Sequence, residues 1–119
     1  MNNPVMRWQI VSPTPQKTSE FYCKLFGWES TRDNLLNYEM LDTGSERGIH
    51  GGVWPAPPEA TSFVQLYIEV ENCEACVKQA AALGAGVLMP PQALPDGDVM
   101  AVLRDPCGMT FGIMQTSGG

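Results

Sequence analysis

Two stretches of this 119-residue chain run through the same order of elements. An extended segment, a helix and three short strands are read over residues 5–54, and the same order returns over residues 62–115. Arg7 and Gln65, placed alike in the two opening strands, lie 58 positions apart, and the helix-ending glycines Gly27 and Gly84 lie 57 apart. A chain that repeats one strand–helix–strand unit is expected to fold as two similar modules of mixed α+β class. Between them stands Pro55-Ala56-Pro57-Pro58, too rich in proline to be a central strand. The expected organisation is one domain over residues 1–119, with module one at about 1–54, a linker at about 55–61 and module two at about 62–117.

Local chemistry sets the element boundaries. Residues 5–11 read as a strand. Thr14 is placed to cap a helix that starts at Pro15, where a missing N–H costs nothing. Phe21, Tyr22, Leu25 and Phe26 recur at one-turn spacing and give that helix an apolar face, and Gly27 suits a left-handed terminus. Strands are expected near residues 28–32, 36–43 and 49–54, with Asp33-Asn34 and Thr43-Gly44-Ser45 as turns. The strand over residues 62–71 shows the clearest alternation: Val64, Leu66, Ile68 and Val70 point one way, and Phe63, Gln65, Tyr67 and Glu69 the other. Asn72 caps the second helix, which runs through Cys76, Val77, Ala80 and Leu83 to Gly84. Strands near residues 86–89, 99–104 and 110–115 follow, the last two joined by a turn at Asp105-Pro106-Cys107-Gly108.

Charge and composition exclude several partners. The net charge is −6, and the seven Lys and Arg residues form no cluster, so no positive footprint for nucleic acid exists. No apolar run approaches the ~20 residues of a membrane span. The start Met1-Asn2-Asn3-Pro4 lacks the pattern of a secretory leader, and a cytoplasmic location is the expectation. Cys23, Cys73, Cys76 and Cys107 are then expected as thiols. Cys73-Glu74-Ala75-Cys76 falls in a first helical turn, where a helix dipole could lower a thiol pKa. The plainer reading is a partly buried thiol at Cys76 and an incidental one at Cys73.

Several motifs together resemble a known family. Phe21-Tyr22-Cys23-Lys24-Leu25-Phe26-Gly27-Trp28, Leu66-Tyr67-Ile68-Glu69-Val70-Glu71-Asn72, Ala82-Leu83-Gly84, and Val102-Leu103-Arg104-Asp105-Pro106-Cys107-Gly108 before Phe111-Gly112 are similar to the glyoxalase / bleomycin-resistance / extradiol-dioxygenase (vicinal oxygen chelate) superfamily. The resemblance implies two βαβββ modules forming an incomplete barrel around a central cleft, with the helices outside. It also implies, in metal-dependent members, four ligands from the first and fourth strands of each module. Carried onto this chain, those positions fall on Arg7, on His50 or Gly51, on Gln65 and on Gly112. Arg7 cannot ligate a metal and Gly112 has no side chain, so the resemblance implies a degenerate site with no metal cofactor.

If Trp8, Ile10, Leu66, Ile68, Val70, Phe111 and Ile113 pack beneath the helices, the opposite parity lines a binding surface. That places Arg7, Gln9, Phe63, Gln65, Tyr67 and Glu69 together with Thr110, Gly112 and Met114. Arg7 and Glu69 could equally pair with each other. His50, the lone histidine, is a candidate for proton transfer or a hydrogen-bonded strand residue. Glu39 and Glu69 are candidate bases if desolvated. Trp54 could border the cleft or cover a subunit interface. The function expected is binding of a small, partly aromatic molecule by a homodimer. The alternatives are a lyase, isomerase or dioxygenase-like enzyme using an unconventional arrangement of His50, Gln65 and Glu39 or Glu69 with a metal, and an accessory structural role.

Overall fold

The computed structural model describes residues 2–32 and 38–117, and everything below concerns those residues. The chain forms two compact units, Arg7–Gln65 and Leu66–Gly119 together with Met1–Met6. They are called module one and module two below. The elements follow one another as β1 (Val5–Ser12), α1 (Pro15–Phe26), β2 (Glu29–Thr31), β3 (Glu39–Asp42), β4 (Gly51–Pro55), β5 (Phe63–Glu69), α2 (Cys73–Ala82), β6 (Gly86–Ala93), β7 (Val99–Arg104) and β8 (Thr110–Gln115). This is the α+β class with βαβββ order twice over. The turn expected at Asp33-Asn34 and the first part of the third strand lie outside the described residues.

The modules are topological copies. In module one the strands lie side by side in the order β2-β3-β4-β1, and in module two as β6-β7-β8-β5. The last strand of each module runs parallel to its first: β4 beside β1, with Trp8 opposite Gly51 and Ile10 opposite Val53, and β8 beside β5, with Tyr67 opposite Gly112. The remaining pairs are antiparallel. A parallel neighbour requires a crossover, and the helix plus two strands between first and last strand supply it.

Register sorts the side chains onto two faces. In module one, Trp8, Ile10, Ser12, Val53, Glu39 and Leu41 share the face toward α1, and Arg7, Gln9, Met40, Gly52 and Trp54 share the other. Hydrogen bonds from α1 agree: Ser12 Oγ lies 2.8 Å from Thr18 Oγ1, and Ser19 Oγ lies 3.4 Å from Glu39 Oε2. In module two, Val70, Cys73, Ala101, Leu103 and Ile113 form a buried core against which Cys76, Val77, Ala80 and Phe111 pack. Tyr67, Glu69, Gly112 and Met114 take the opposite parity. The two-faced pattern expected for β1, β5 and β8 is therefore the observed one.

Three details differ from the sequence reading. Thr14 makes no side-chain cap; its own N–H donates to Ser12 Oγ, 3.1 Å away, while Asn72 does cap α2 through Ala75 N–H at 3.0 Å. The stripe Phe21, Leu25 and Phe26 is more than half exposed, and the one fully buried residue of α1 is Ser19. Spacing reveals that a helix has an apolar stripe but not which stripe meets the sheet. Here the small Ser19 permits close approach, and the larger side chains turn to its flanks. Tyr22, Phe26, Trp8 and Trp28 form a chain of ring contacts with centroids 5.3 to 6.3 Å apart. Finally, β6 extends past residue 89 to Ala93 through Pro90 and Pro91, with register shifts against β7. It ends the module's strand order, so missing N–H groups are tolerated there.

Glycines inside strands mark where rings lie on backbone. A Cβ at Gly112 would run into the Tyr67 ring, one at Gly51 into the Trp8 indole, and one at Gly52 would stand 2.8 Å from the Tyr38 ring. Gly112→Ala is therefore expected to lower unfolding free energy by about 2 kcal/mol through overpacking. Tyr67→Ala in the same chain should recover part of that loss, measured as a double-mutant cycle by urea denaturation. Additive losses would show that the ring and the glycine do not interact.

Candidate functional site

Module one contains a cavity of about 460 Å³ at the end of its sheet where β1 and β4 finish and β3 begins. Its walls are Pro15 and Lys17 from the first turn of α1, Arg32 after β2, Tyr38 and Glu39 at β3, and Val53, Trp54 and Pro55 from β4, with Thr14 and Gln16 completing the lining. The sequence accounts for its shape. Pro55 ends the strand, Ser12-Pro13-Thr14-Pro15 turns the chain sharply, and helix and sheet diverge from there. Trp54 and Tyr38 meet edge to face with ring centroids 5.0 Å apart, a favourable arrangement for two quadrupoles. The Tyr38 hydroxyl accepts a 2.6 Å hydrogen bond from Arg7 Nη1, which ties the aromatic pair to β1 on the sheet face away from α1.

Charge is distributed unevenly over the cavity. The Glu39 side chain is only 13% exposed, whereas that of Arg32 is 56% exposed and Lys17 is exposed. Among the described residues the Glu39 carboxylate meets Ser19 Oγ at 3.4 Å and Arg32 Nε at 4.0 Å, both long contacts.

The residues proposed from sequence are placed as follows. Arg7 and Gln9 share a face of β1, and Gln9 is buried. Arg7 bonds to Tyr38, while Glu69 in module two accepts a 2.9 Å hydrogen bond from Thr116 Oγ1, so each has its own partner within its own module. Gln65 and Tyr67 are buried and Phe63 is 42% exposed. His50 is exposed just before β4, its Nδ1 accepting from Thr43 N–H at 3.1 Å and lying 3.4 Å from Asp42 Oδ1. Trp54 and Glu39, both noted from sequence, do line the cavity. Pro15, Lys17, Arg32, Tyr38 and Val53 were not anticipated. Adjacent aromatic residues on paired strands offered the one available signal, but it depends on a register that sequence does not display.

Three residues at the positions that the family resemblance implies for a metal offer no ligating side chain. Arg7 is a guanidinium engaged with Tyr38. Gly51 and Gly112 lie against the rings of Trp8 and Tyr67, so no ligating side chain fits at either position. Gly51 moreover belongs to the face toward α1, opposite in parity to Arg7. Among the described residues no three His, Cys, Asp or Glu side chains gather closely enough to hold an ion. Arg7, Gly51 and Gly112 thus supply none of the oxygen or imidazole donors that a hard divalent cation takes.

The chain matches the model of the Glyoxalase/Bleomycin resistance protein/Dioxygenase superfamily over residues 4–113. It belongs to that superfamily. "Putative glyoxylase CFP32" of Mycobacterium tuberculosis and its counterpart in Mycobacterium bovis are each 30% identical to this chain over 110 residues, 90% of its length. The chain spans 42% of those relatives, so they carry more than this superfamily unit alone. Among solved structures, a hypothetical protein from Bacillus halodurans superposes with a TM-score of 0.71 at 12% identity, covering 100% of this chain and 98% of the other. Methylmalonyl-CoA epimerase of Streptomyces coelicolor, in complex with 2-nitronate-propionyl-CoA, superposes with a TM-score of 0.66 at 16% identity, covering 98% and 99%. At such identities the superfamily fold is what these structures share with the chain.

The cysteine pair corrects one expectation. Cys73, expected to be incidental, is fully buried in the module-two core, and Cys76 is half-buried. Burial raises the pKa of Cys73, with the charges of Cys76 and Glu74 adding to it, and burial alone raises that of Cys76. Desolvation thus prevails over the helix dipole. All four cysteines are free thiols, and Cys107 is exposed. A thiol whose pKa is higher folded than unfolded stabilises the fold below its unfolded pKa and loses that contribution as pH rises through the folded value. Unfolding free energy is therefore expected to fall above about pH 8.5, less steeply in Cys73→Ala. In native protein Cys107 should react first with a thiol reagent, read by mass spectrometry.

Proposed function

We propose that this superfamily member binds a small, partly aromatic molecule and does so without a resident metal. The cavity in module one is the observation that supports this most directly. Its volume of about 460 Å³ falls in the range of small-molecule sites, and Val53 with the two prolines gives it apolar wall, Tyr38 and Trp54 also contributing to its lining. The unsuitability of Arg7, Gly51 and Gly112 as ligands supports the metal-free part of the reading. Cytoplasmic homodimers are the expected working form. The exposed Phe21, Leu25 and Phe26 on α1 support an interface, and sedimentation velocity would check it.

The name of the mycobacterial relatives favours a second reading, an enzyme acting as a lyase, isomerase or dioxygenase-like catalyst with a metal on an unusual ligand set. Measurement separates the two. A thermal-shift titration with indole and with 2-naphthol should raise the melting temperature of the native chain, and Pro15→Arg, which sets a long charged side chain at the cavity wall, should lose the shift while staying folded. Dialysis against EDTA should leave both melting temperature and binding unchanged. Stoichiometric metal in elemental analysis, with destabilisation on its removal, would establish the enzyme reading instead.

A further inference from the structure

We infer that Arg7 receives the carboxylate of a small molecule with an aromatic body, on the face of the module-one sheet that turns away from α1. This is a second site, separate from the cavity, and it stands or falls independently of it. Arg7 on β1, Tyr38 and Met40 at β3, and Gly52 and Trp54 on β4 share that face by register. Gly52 is what brings Tyr38 to Arg7. With no Cβ there, the Tyr38 ring lies over the β4 backbone, where a Cβ would stand 2.8 Å from it, and the phenol oxygen comes within 2.6 Å of Arg7 Nη1. Tyr38 in turn meets Trp54 edge to face, with ring centroids 5.0 Å apart. Guanidinium, phenol and indole thus run in unbroken contact over one face.

The charge balance names the ligand. Among the described residues the Arg7 side chain has one partner, a neutral phenol, and no carboxylate within ion-pairing distance. Asp42, which has the parity of Met40 on β3, accepts from Gly44 N–H at 2.7 Å and lies 3.4 Å from His50 Nδ1. Glu39 stands on the opposite face beside Arg32. Arg7 is nonetheless partly withdrawn from water. A cation so placed gains from a counter-ion, because it has already lost some of its hydration. A guanidinium carries about five N–H donors in a planar fork, and the phenol takes one, so a bidentate carboxylate can be held beside it. Arg7 is the only Lys or Arg in β1, β3 and β4, and a single positive charge matches a monoanion better than a doubly charged phosphate. Trp54 is partly exposed and Met40 is 37% exposed, which leaves apolar surface on the same face for the ligand's aromatic body.

Calorimetric titration of the full chain with 3-phenylpropionate, 3-phenylpropanamide and 3-phenylpropylamine tests this. The acid is expected to bind about tenfold more tightly than the amide of the same shape, a step typical of one charge-assisted hydrogen bond, and the amine more weakly than either. Arg7→Gln should remove the difference between acid and amide, with an unchanged circular dichroism spectrum showing the fold intact. Arg7→Lys, which keeps the charge without the planar fork, should retain part of it. Pro15→Arg, which obstructs the cavity beside α1, should leave acid binding within about twofold. No binding of the acid, or equal affinity for acid and amide in the unaltered chain, overturns the site whether or not the variants fold. An acid preference that survives Arg7→Gln overturns it as well. Loss of acid binding in Pro15→Arg but not in Arg7→Gln seats the carboxylate in the cavity instead. The cavity reading is judged apart from all of these, by the uncharged indole and 2-naphthol.

Discussion

Aromatic rings laid on bare backbone organise both modules. In module one, Trp8 covers Gly51 and Tyr38 covers Gly52; in module two, Tyr67 covers Gly112. Each contact needs a residue without a Cβ in a strand, where glycine is otherwise disfavoured. The benefit is a large apolar surface set directly against the sheet at van der Waals distance. These contacts tie register to side-chain choice. A slip of one residue would put a Cβ under a ring and exchange the two faces of the strand.

The same contacts direct the chemistry. In the family's metal-dependent members the first and fourth strands of each module supply ligands. Here those strands carry an arginine committed to a tyrosine and glycines already covered by rings. A cavity lies instead at the end of the module-one sheet, where α1 begins and the sheltered Glu39 stands. One fold can carry sites of different chemistry on an unchanged frame. Ser12 contributes to both frame and site: its hydroxyl takes the Thr14 N–H and meets Thr18 at the start of α1, where the helix borders the cavity.

Much was legible from local signals. The positions of β7 and β8, the extent of α1 between Pro15 and Gly27, and the Asn72 cap all follow from short-range chemistry. Gly27 adopts φ of +73°, and its N–H closes onto the Cys23 carbonyl. Other features depended on contacts distant in sequence. Thr14 looked like a cap, but Ser12 was close enough to act first. Phe21 and Leu25 looked like core, but the sheet accepted Ser19. Cys73 looked incidental and became the best-buried thiol, its N–H held by Gln115 Oε1 at 2.8 Å from the far end of the module.

By itself the sequence determined the βαβββ order, its repetition, the two-faced alternation of β1, β5 and β8, and the unsuitability of Arg7 and Gly112 as metal ligands. Periodicity, caps and the chemistry of single side chains are local properties, readable without knowing what lies alongside. Only the tertiary structure decided that Tyr38 and Trp54 would meet edge to face on the side of the sheet opposite Glu39, or that rings would occupy the room above Gly51 and Gly112. Those outcomes depend on which strands pair and in what register, and no stretch of chain carries that information until its neighbour is in place.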